Sequence, residues 1–233
     1  KIASTLLFSS LCLALVAQEY PFRDTKLPEQ ERIENLISLM TLDEKISCLS
    51  TRIAVPRLGI TGTRTIEGLH GLAYSGPANW AVRGAKASPT TTFPQSIGLA
   101  ETWDPELLKK VADWEATEAR FLAQNKKYGI SGLIVFAPNA DMGRDIRWGR
   151  TEECYGEDPF LTARLTVAYV QGLQGDDPKY WKSASLMKHF LANSNENNRA
   201  INSSDFDERL FREYYSYPFY KGITEGGSRA FMT

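Results

Sequence analysis

The sequence predicts an α/β fold in which short parallel strands alternate with covering helices. Apolar runs of strand length, such as "GLIVF" and "SASLM", alternate with amphipathic stretches that carry helix-capping signals. Polar motifs follow the C-terminal ends of three apolar runs: "EGLHG", "PNADMGRD" and "KHFLANSNENNR". Ligands bind at that end of the strands both in a (β/α) barrel and in an open doubly wound sheet. The order of elements fits either architecture and predicts a binding site beside the polar motifs.

The first element is an apolar segment near the N-terminus. Lys1 precedes the run "TLLFSSLCLALVA" at positions 5–17, and the polar residues "QEY" follow it. The run is too short to span a bilayer and has the length of the hydrophobic region of a secretory signal. We therefore expect residues 1–18 to be a signal peptide and the mature protein to be secreted or periplasmic. A buried N-terminal helix is the alternative interpretation.

Two helices and two strands are predicted before position 101. Apolar residues between Ile33 and Met40 have helical spacing, and "TLDE" from Thr41 has the pattern of a capping box before a second helix. "TRTIEGLHGLA" predicts a short strand that runs into a glycine-containing loop. The stretch "SIGLA" at positions 96–100 predicts another strand.

The remaining predicted elements alternate between helix and strand. A long helix should begin after Asp104, with Pro105 at its first position, and another after Asp158, with Pro159 in the same place. "GLIVFAPNAD" and "SASLMKHFLAN" predict strands that end in polar residues. "SSDFDERLFREYYSYPFYKGITEGG" predicts a helix with a break before Pro218, and "SRAFMT" begins one more strand.

Composition excludes several functional classes. The 233 residues carry a formal net charge of -1, which leaves no broad basic field for nucleic acid. No GxGxxG or GxxxxGK[ST] motif occurs, which disfavours nucleotide binding, and no membrane span is predicted after residue 18. The two histidines lack a metal-ligand spacing, so we expect no metal and no cofactor. Cys48 and Cys154 have no CxxC spacing; two free buried thiols are expected, with one long-range disulfide as the alternative.

The loop from Pro138 to Pro159 concentrates charge. Nine of its eighteen residues between Asp141 and Asp158 are charged. A solvated surface loop is one interpretation, and a polar ligand site is the other. Arg150 favours the second, because its planar guanidinium can bind two adjacent hydroxyls or a carboxylate.

A second polar motif ends the apolar strand around "SLM". Lys188 and His189 follow it directly, and a buried lysine needs a carboxylate or a polar ligand. An ion pair with a loop acid that only stabilises the fold is the alternative. Adjacent strand residues point to opposite faces, so both can serve one site only if the strand ends there.

Sugars are the ligand class that these side chains suit best. A pyranose offers a ring of hydroxyls and an apolar face, so charged donors and acceptors beside an aromatic ring can bind it. The candidate stacking residues are Trp148 and Trp103. The candidate polar residues are Glu67, Arg150, Lys188, His189 and Arg199.

Four motifs in order resemble glycoside hydrolase family 3: "EGLHG" (67–71), "TTFPQSIGLAETWD" (91–104), "WGRTEECYGEDP" (148–159), and "KHF" (188–190) followed by "NENNR" (195–199). The resemblance extends over about residues 20–233. It implies a (β/α)8 TIM-type barrel, truncated in this chain to its first strands and helices. Residues 19–233 would then be the N-terminal part of the barrel domain.

The resemblance also implies a function. Family members of this type are retaining exo-β-glycosidases, so we expect hydrolysis of terminal non-reducing β-D-glucosyl residues from oligosaccharides or glycosides. A β-xylosidase/α-arabinofuranosidase is one alternative, because Glu67 stands where many family β-glucosidases have Asp. A catalytically inactive sugar-binding homologue is another. The substrate partner would be a β-linked oligosaccharide or glycoside, with no nucleic acid partner.

The implied roles are carried over to matching positions only. Glu67, Arg150, Lys188 and His189 match the family's sugar-binding residues, and Arg199 matches by its spacing. The family's nucleophile is an Asp in a motif like "SDW", which this sequence lacks, and its acid/base Glu usually belongs to a second domain. We therefore expect the nucleophile and the acid/base beyond Thr233, and no turnover by these 233 residues alone. Asp141, Asp145, Glu152 and Glu157 are not assigned catalytic roles.

Overall fold

The computed structural model describes residues 20–50, 53–62, 64–73, 90–125 and 132–233. The predicted signal peptide, residues 1–18, lies outside the described residues. The chain divides into two compact units, Lys1–Gly62 and Thr63–Thr233. Within the described part, no helix combines the length and apolar character needed to cross a bilayer.

The first unit contains two short α-helices, α1 (Glu29–Leu39) and α2 (Leu42–Ser47). The predicted capping box at the start of α2 is present: Thr41 accepts from the Glu44 backbone, and the Glu44 side chain accepts from the Thr41 backbone. Phe22, Val55 and Leu58 form the buried core of this unit.

The second unit is built on a five-stranded sheet with the order β2-β1-β3-β4-β5. Its strands are β1 (Thr65–Gly68), β2 (Leu72–Ala73), β3 (Ile134–Phe136), β4 (Ala184–Met187) and β5 (Ala230–Phe231). β1, β3, β4 and β5 are parallel neighbours, and β2 pairs antiparallel with β1. Helices connect the parallel strands in sequence, which confirms the predicted α/β class. This succession of parallel strands is the arrangement expected at the start of a (β/α)8-type barrel.

Two long helices pack against each other beside this sheet. α4 (Pro105–Gln124) begins at Asp104, whose carboxylate accepts from the Leu107 N–H. α5 (Pro159–Gln174) begins in the same way at Asp158, which accepts from Leu161. Both predicted caps are therefore confirmed.

One prediction about an element needs correction. Residues Ser96–Ala100 form a short helix, α3, and not a strand; Ser96, Leu99 and Ala100 are buried at helical spacing on one side of it. The C-terminal helical stretch breaks at Ser216, which confirms the predicted break before Pro218. α6 (Glu208–Leu210) and a π-helical turn (211–215) precede the break, and α7 (Tyr217–Thr224) follows it with Pro218 in its first turn.

Candidate functional site

A cavity of about 930 Å³ opens at the C-terminal ends of the parallel strands in the second unit. β1 contributes Glu67 to its wall, the segment after β3 contributes Arg150, and the segment after β4 contributes Lys188 and the residues that follow. All five polar residues predicted from the sequence line this cavity: Glu67, Arg150, Lys188, His189 and Arg199.

Lys188 is almost completely buried, with 4% of its surface exposed. Its Nζ donates to Glu67 Oε2 at 3.0 Å. The Glu67 side chain keeps 20% of its surface exposed. The carboxylate that a buried lysine requires therefore comes from β1, and both members of the pair line the cavity.

Strand β4 ends at Met187, immediately before Lys188 and His189. Lys188 still bridges to Asn139 of the neighbouring segment: its N–H donates to Pro138 O, and its carbonyl accepts from the Ala140 N–H. The peptide bond between Lys188 and His189 is cis. The strand thus ends where the sequence required it to end for both residues to serve one site, and both residues line the cavity.

Glu153 holds Arg150 through two parallel bonds. Arg150 Nε donates to Glu153 Oε1 at 2.8 Å and Nη2 donates to Oε2 at 2.6 Å. This pairing raises the pKa of Arg150 above its usual value. Burial raises the pKa of the Glu153 carboxyl, but the bonds and charge of Arg150, together with Lys188 and Asn139, hold it below its usual value. Both groups are therefore charged at neutral pH, and the guanidinium is fixed at the cavity wall.

Asp141 lies behind His189 and is fully buried. Its Oδ2 accepts from the His189 backbone N–H at 3.2 Å and lies 2.8 Å from His189 Nδ1. On the other side of the ring, His189 Nε2 lies 3.2 Å from Arg150 Nη2. Burial raises the pKa of the Asp141 carboxyl, and the bonds from His189 oppose the rise.

Arg199 occupies a more exposed part of the cavity. Its Nη1 lies 3.2 Å from Glu196 Oε2, and Glu196 Oε1 accepts from the indole N–H of Trp148 at 3.0 Å. Trp148 is 5% exposed, so its ring faces are covered by protein and offer no platform for a sugar ring. Trp103 is 72% exposed but does not line the cavity. The interpretation of these two tryptophans as stacking residues was therefore wrong, and the aromatic rings that line the cavity belong to Phe190 and Phe206.

The two histidines have different positions. His189 lines the cavity, whereas His70 does not. The His70 ring Nδ1 lies 3.3 Å from the Phe93 carbonyl, and the His70 carbonyl accepts from the Phe93 N–H at 2.8 Å. His70 thus joins the loop after β1 to the segment before α3. No cluster of three or more metal-ligating side chains occurs within the described ranges.

Residues 80–233 match the Glycosyl hydrolase family 3 N terminal domain. The chain belongs to glycosyl hydrolase family 3. A β-xylosidase of Formosa agariphila is 40% identical over 209 residues, which cover 87% of this chain and 27% of that protein. A β-glucosidase of Rhizobium radiobacter is 36% identical over 206 residues, which cover 86% of this chain and 23% of that protein. The chain spans about a quarter of the length of these curated relatives.

Solved structures of family 3 enzymes share the fold. An exo-β-xylosidase in complex with a xylobiose aziridine activity-based probe aligns with a TM-score of 0.76 at 29% identity, covering 91% of this chain and 27% of that one. The β-glucosidase of Kluyveromyces marxianus in complex with glucose aligns with a TM-score of 0.72 at 31% identity, covering 86% of this chain and 22% of that one. The family resemblance and the fold class predicted from the motifs are confirmed.

The charged residues in the loop after β3, positions 138–159, fall into two groups: those that line the cavity and those that do not. Asp145 pairs with the exposed Arg147, and Asp158 caps α5, so neither reaches the cavity. Arg150 and Glu153 do reach it. The loop is therefore a scaffold that presents one arginine and its partner carboxylate.

Sequence reasoning missed three carboxylates of this family 3 site: Asp141, Glu153 and Glu196. Each fixes a predicted residue, namely His189, Arg150 or Arg199. A signal was available for Glu153 and Glu196, because each lies three residues from its arginine in the same motif. Asp141 meets His189 only through the fold, across 48 positions, and the contact of Glu196 with Trp148 spans the same distance along the chain.

Proposed function

We propose that this chain supplies the sugar-binding part of the active site of a retaining exo-β-glycosidase that hydrolyses terminal non-reducing β-D-glucosyl residues. The observation that carries the proposal is the presence of Glu67, Arg150, Lys188, His189 and Arg199 around one cavity. Membership of family 3 supports the reaction class.

The electrostatics of the cavity suit a neutral polyol. The carboxylates that line it each contact a cation: Glu67 contacts Lys188, Glu153 contacts Arg150, and Glu196 contacts Arg199. Such pairs present oxygen acceptors and N–H donors side by side, and a hydroxyl can use both. A strongly charged ligand would have to break at least one of these pairs.

We propose that the nucleophile and the acid/base lie outside these 233 residues. A retaining mechanism needs two carboxyl groups roughly 5 Å apart with different roles. The carboxylates of this cavity are each engaged in holding a cation, which suits binding and not nucleophilic attack. The 233-residue chain alone should therefore bind sugar without turnover.

A β-xylosidase is the second candidate, and one residue favours it. Glu67 is one methylene longer than Asp, and its carboxylate would extend into space that the hydroxymethyl group of a hexose needs. A methylene changes discrimination by about 1–3 kcal/mol, so either sugar remains within reach of the pocket. The name β-xylosidase of the Formosa agariphila relative supports this candidate.

Activity and binding measurements test the proposal together. The protein encoded by the complete gene should hydrolyse an aryl β-D-glucopyranoside or an aryl β-D-xylopyranoside, and the higher kcat/KM identifies the sugar. Calorimetry with glucose and xylose should detect binding by the 233-residue chain. The same chain should release no aryl alcohol from either aryl glycoside. Arg150→Lys should weaken binding, because an ammonium cannot replace the two-pronged guanidinium.

Asp145→Asn is the matched control, since Asp145 lies in the same loop but pairs only with exposed Arg147 within the described contacts. Activity from the 233-residue chain alone would overturn the assignment of the catalytic carboxylates. Absence of hydrolysis of both glycosides by the complete protein would overturn the proposed reaction.

A further inference from the structure

Asp141 is a buried carboxylate that the proposed sugar contacts do not use. Its side chain has no exposed surface, and it does not line the cavity. It belongs to the segment after β3 and approaches His189 from the side opposite the cavity. One oxygen, Oδ2, meets both the backbone N–H and the ring Nδ1 of His189. Two bonds to one residue fix both the position and the rotation of the imidazole.

The backbone of Asp141 is itself fixed. Its N–H donates to Asn139 Oδ1 at 2.8 Å, and the Asn139 amide approaches Glu153 Oε2 at 3.4 Å. Asn139 therefore connects the carboxylate behind His189 with the carboxylate that holds Arg150. The two cavity residues share one supporting network, in which Asp141 supports the histidine and Glu153 supports the arginine.

Hydrogen-bond chemistry then selects one form of His189. A guanidinium carries only donors, so the contact between Arg150 Nη2 and His189 Nε2 requires a lone pair on Nε2. The contact of Nδ1 with the Asp141 oxygen requires a donor on Nδ1. Both requirements are met by the neutral ring with its proton on Nδ1, and by no other form.

We propose that Asp141 is a positioning residue that holds His189 as the Nδ1–H tautomer, so that Nε2 offers a lone pair to the cavity and the bound sugar must donate a hydroxyl proton to it. The inference rests on the proposed sugar-binding function and adds the direction of one hydrogen bond to it. Nε2 has a single lone pair, which accepts from Arg150 Nη2 in this structure. A bound hydroxyl takes that place by donating its proton to Nε2, while its oxygen accepts from the guanidinium. A hydroxyl group satisfies both neighbours at once.

Because the sugar hydroxyl must donate to His189 Nε2, this part of the cavity should distinguish a hydroxyl from other functional groups. A fluorine or a carbonyl oxygen can accept from Arg150 but cannot donate to Nε2. An ammonium can donate to Nε2 but cannot accept from Arg150. The site thus selects a hydroxyl over its common replacements, because a replacement that comes between Arg150 and Nε2 leaves one of these two groups unpaired.

Nitrogen-15 NMR of the imidazole rings tests the tautomer directly and without any sugar. In the protein encoded by the complete gene, labelled on histidine, His189→Gln identifies the His189 signals by their loss. At neutral pH, Nδ1 should resonate as a pyrrole-type nitrogen and Nε2 as a pyridine-type nitrogen. The reverse pattern, or an imidazolium pattern, would overturn the proposal.

Two substitutions separate positioning from general structural damage. Asp141→Asn keeps an oxygen that can accept both His189 bonds, so the Nδ1–H pattern should persist. Asp141→Ala removes both bonds that fix the imidazole, so the ring can turn away from Arg150 and its signals should move toward the averaged values of two exchanging tautomers. Asp145→Asn should leave the signals unchanged. If Asp141→Ala does not fold, the spectra of the unsubstituted protein and of Asp141→Asn still test the tautomer, and an Nε2–H pattern in either one overturns the proposal. If folded Asp141→Ala keeps the Nδ1–H tautomer, a residue other than Asp141 selects it, and the proposed role of Asp141 is refuted.

Sugar analogues test the selectivity. In a series of singly deoxyfluorinated glucoses or xyloses, fluorine at one position should weaken binding roughly tenfold or more. In the His189→Gln variant, the same analogue should lose no more binding affinity than the other fluorinated analogues do. If no sugar binds while the Nδ1–H pattern is present and is lost in Asp141→Ala, the proposed function fails and the role of Asp141 stands. If sugars bind and every fluorinated analogue binds equally well, the proposed donation of a hydroxyl proton to His189 Nε2 is refuted.

Discussion

At the scale of single residues, the Lys188–Glu67 pair is unequal in burial. Lys188 is 4% exposed, whereas the Glu67 side chain is 20% exposed. A buried charge that loses its partner costs more than a partly hydrated one. The free energy of unfolding should therefore respond differently to removal of each partner.

Glu67→Gln should lower the free energy of unfolding by about 1–3 kcal/mol, because the buried ammonium keeps only a neutral acceptor. Lys188→Met should cost less, since an apolar chain of similar length replaces the buried charge and Glu67 retains some water. Chemical denaturation at pH 7 measures both, and the double variant gives the coupling energy. A larger loss for Lys188→Met than for Glu67→Gln would contradict the unequal burial.

Residue-scale prediction from the sequence succeeded where a residue's chemistry was distinctive. Arg150, Lys188 and His189 stood out because each follows an apolar strand or belongs to a dense polar motif. Asp141 did not stand out, because nothing in the neighbouring sequence distinguishes it from the other acidic residues of the same charged loop. Its role depends on His189, which lies 48 positions away.

At the scale of elements, the close approach of α4 and α5 depends on Gly172. A Cβ built on Gly172 would lie 2.7 Å from Ala112 Cβ and 3.1 Å from the Asp113 backbone nitrogen, and it would also overlap the Lys109 carbonyl oxygen. Real side chains essentially never approach so closely, so the two helices would have to separate.

Gly172→Ala should lower the free energy of unfolding by about 1–3 kcal/mol, despite the better helix propensity of alanine. Gly98→Ala in α3 is the matched control. There the nearest atom to an added Cβ is Pro94 Cβ at 3.7 Å, so the variant should be as stable as the original or up to about 1 kcal/mol more stable. Equal effects of the two substitutions in denaturant titrations would refute the tight helix contact.

Helix starts were predictable at this scale, and the short apolar stretch at Ser96–Ala100 was not. Thr41, Asp104 and Asp158 act on backbone groups within three residues, so local sequence contains the whole signal. Five residues are too few to separate a strand period from a helical one. Burial of Ser96, Leu99 and Ala100 on one side decides for a helix, and that side exists only in the folded protein.

At the scale of the whole molecule, a buried carboxyl group links stability to pH. Glu115 of α4 is fully buried and accepts a hydrogen bond from the Tyr169 hydroxyl of α5. Burial raises the pKa of Glu115 to about 8, although bonds from Tyr169 and the Gly71 backbone lower it and nearby Glu118 raises it. Between pH 4.5 and about pH 8, the Glu115 carboxyl therefore keeps its proton in the folded protein, whereas the same group has lost it in the unfolded chain, where the usual glutamate pKa of 4.5 applies.

Because the folded state binds the extra proton, this group makes stability fall as pH rises from about 4.5 to about 8. The slope contributed by Glu115 is at most about 1.4 kcal/mol per pH unit. Glu115→Gln should flatten the profile and make the protein more stable than the original above the folded-state pKa. Denaturant titrations between pH 5 and pH 9, with Glu106→Gln on the exposed face of α4 as control, measure the difference. A profile unchanged by Glu115→Gln would show that the carboxyl ionises normally.

The sequence by itself determined the α/β class, the helix starts and the family, because each is written in short stretches whose physics is local. It also supplied the five residues that the fold assembles around one cavity. Only the tertiary structure decided that Glu67 holds Lys188, that Trp148 is covered while Phe206 lines the cavity, and that Asp141 lies behind His189. These are contacts between strand ends that are far apart in the chain, and the sheet alone brings them within hydrogen-bonding distance.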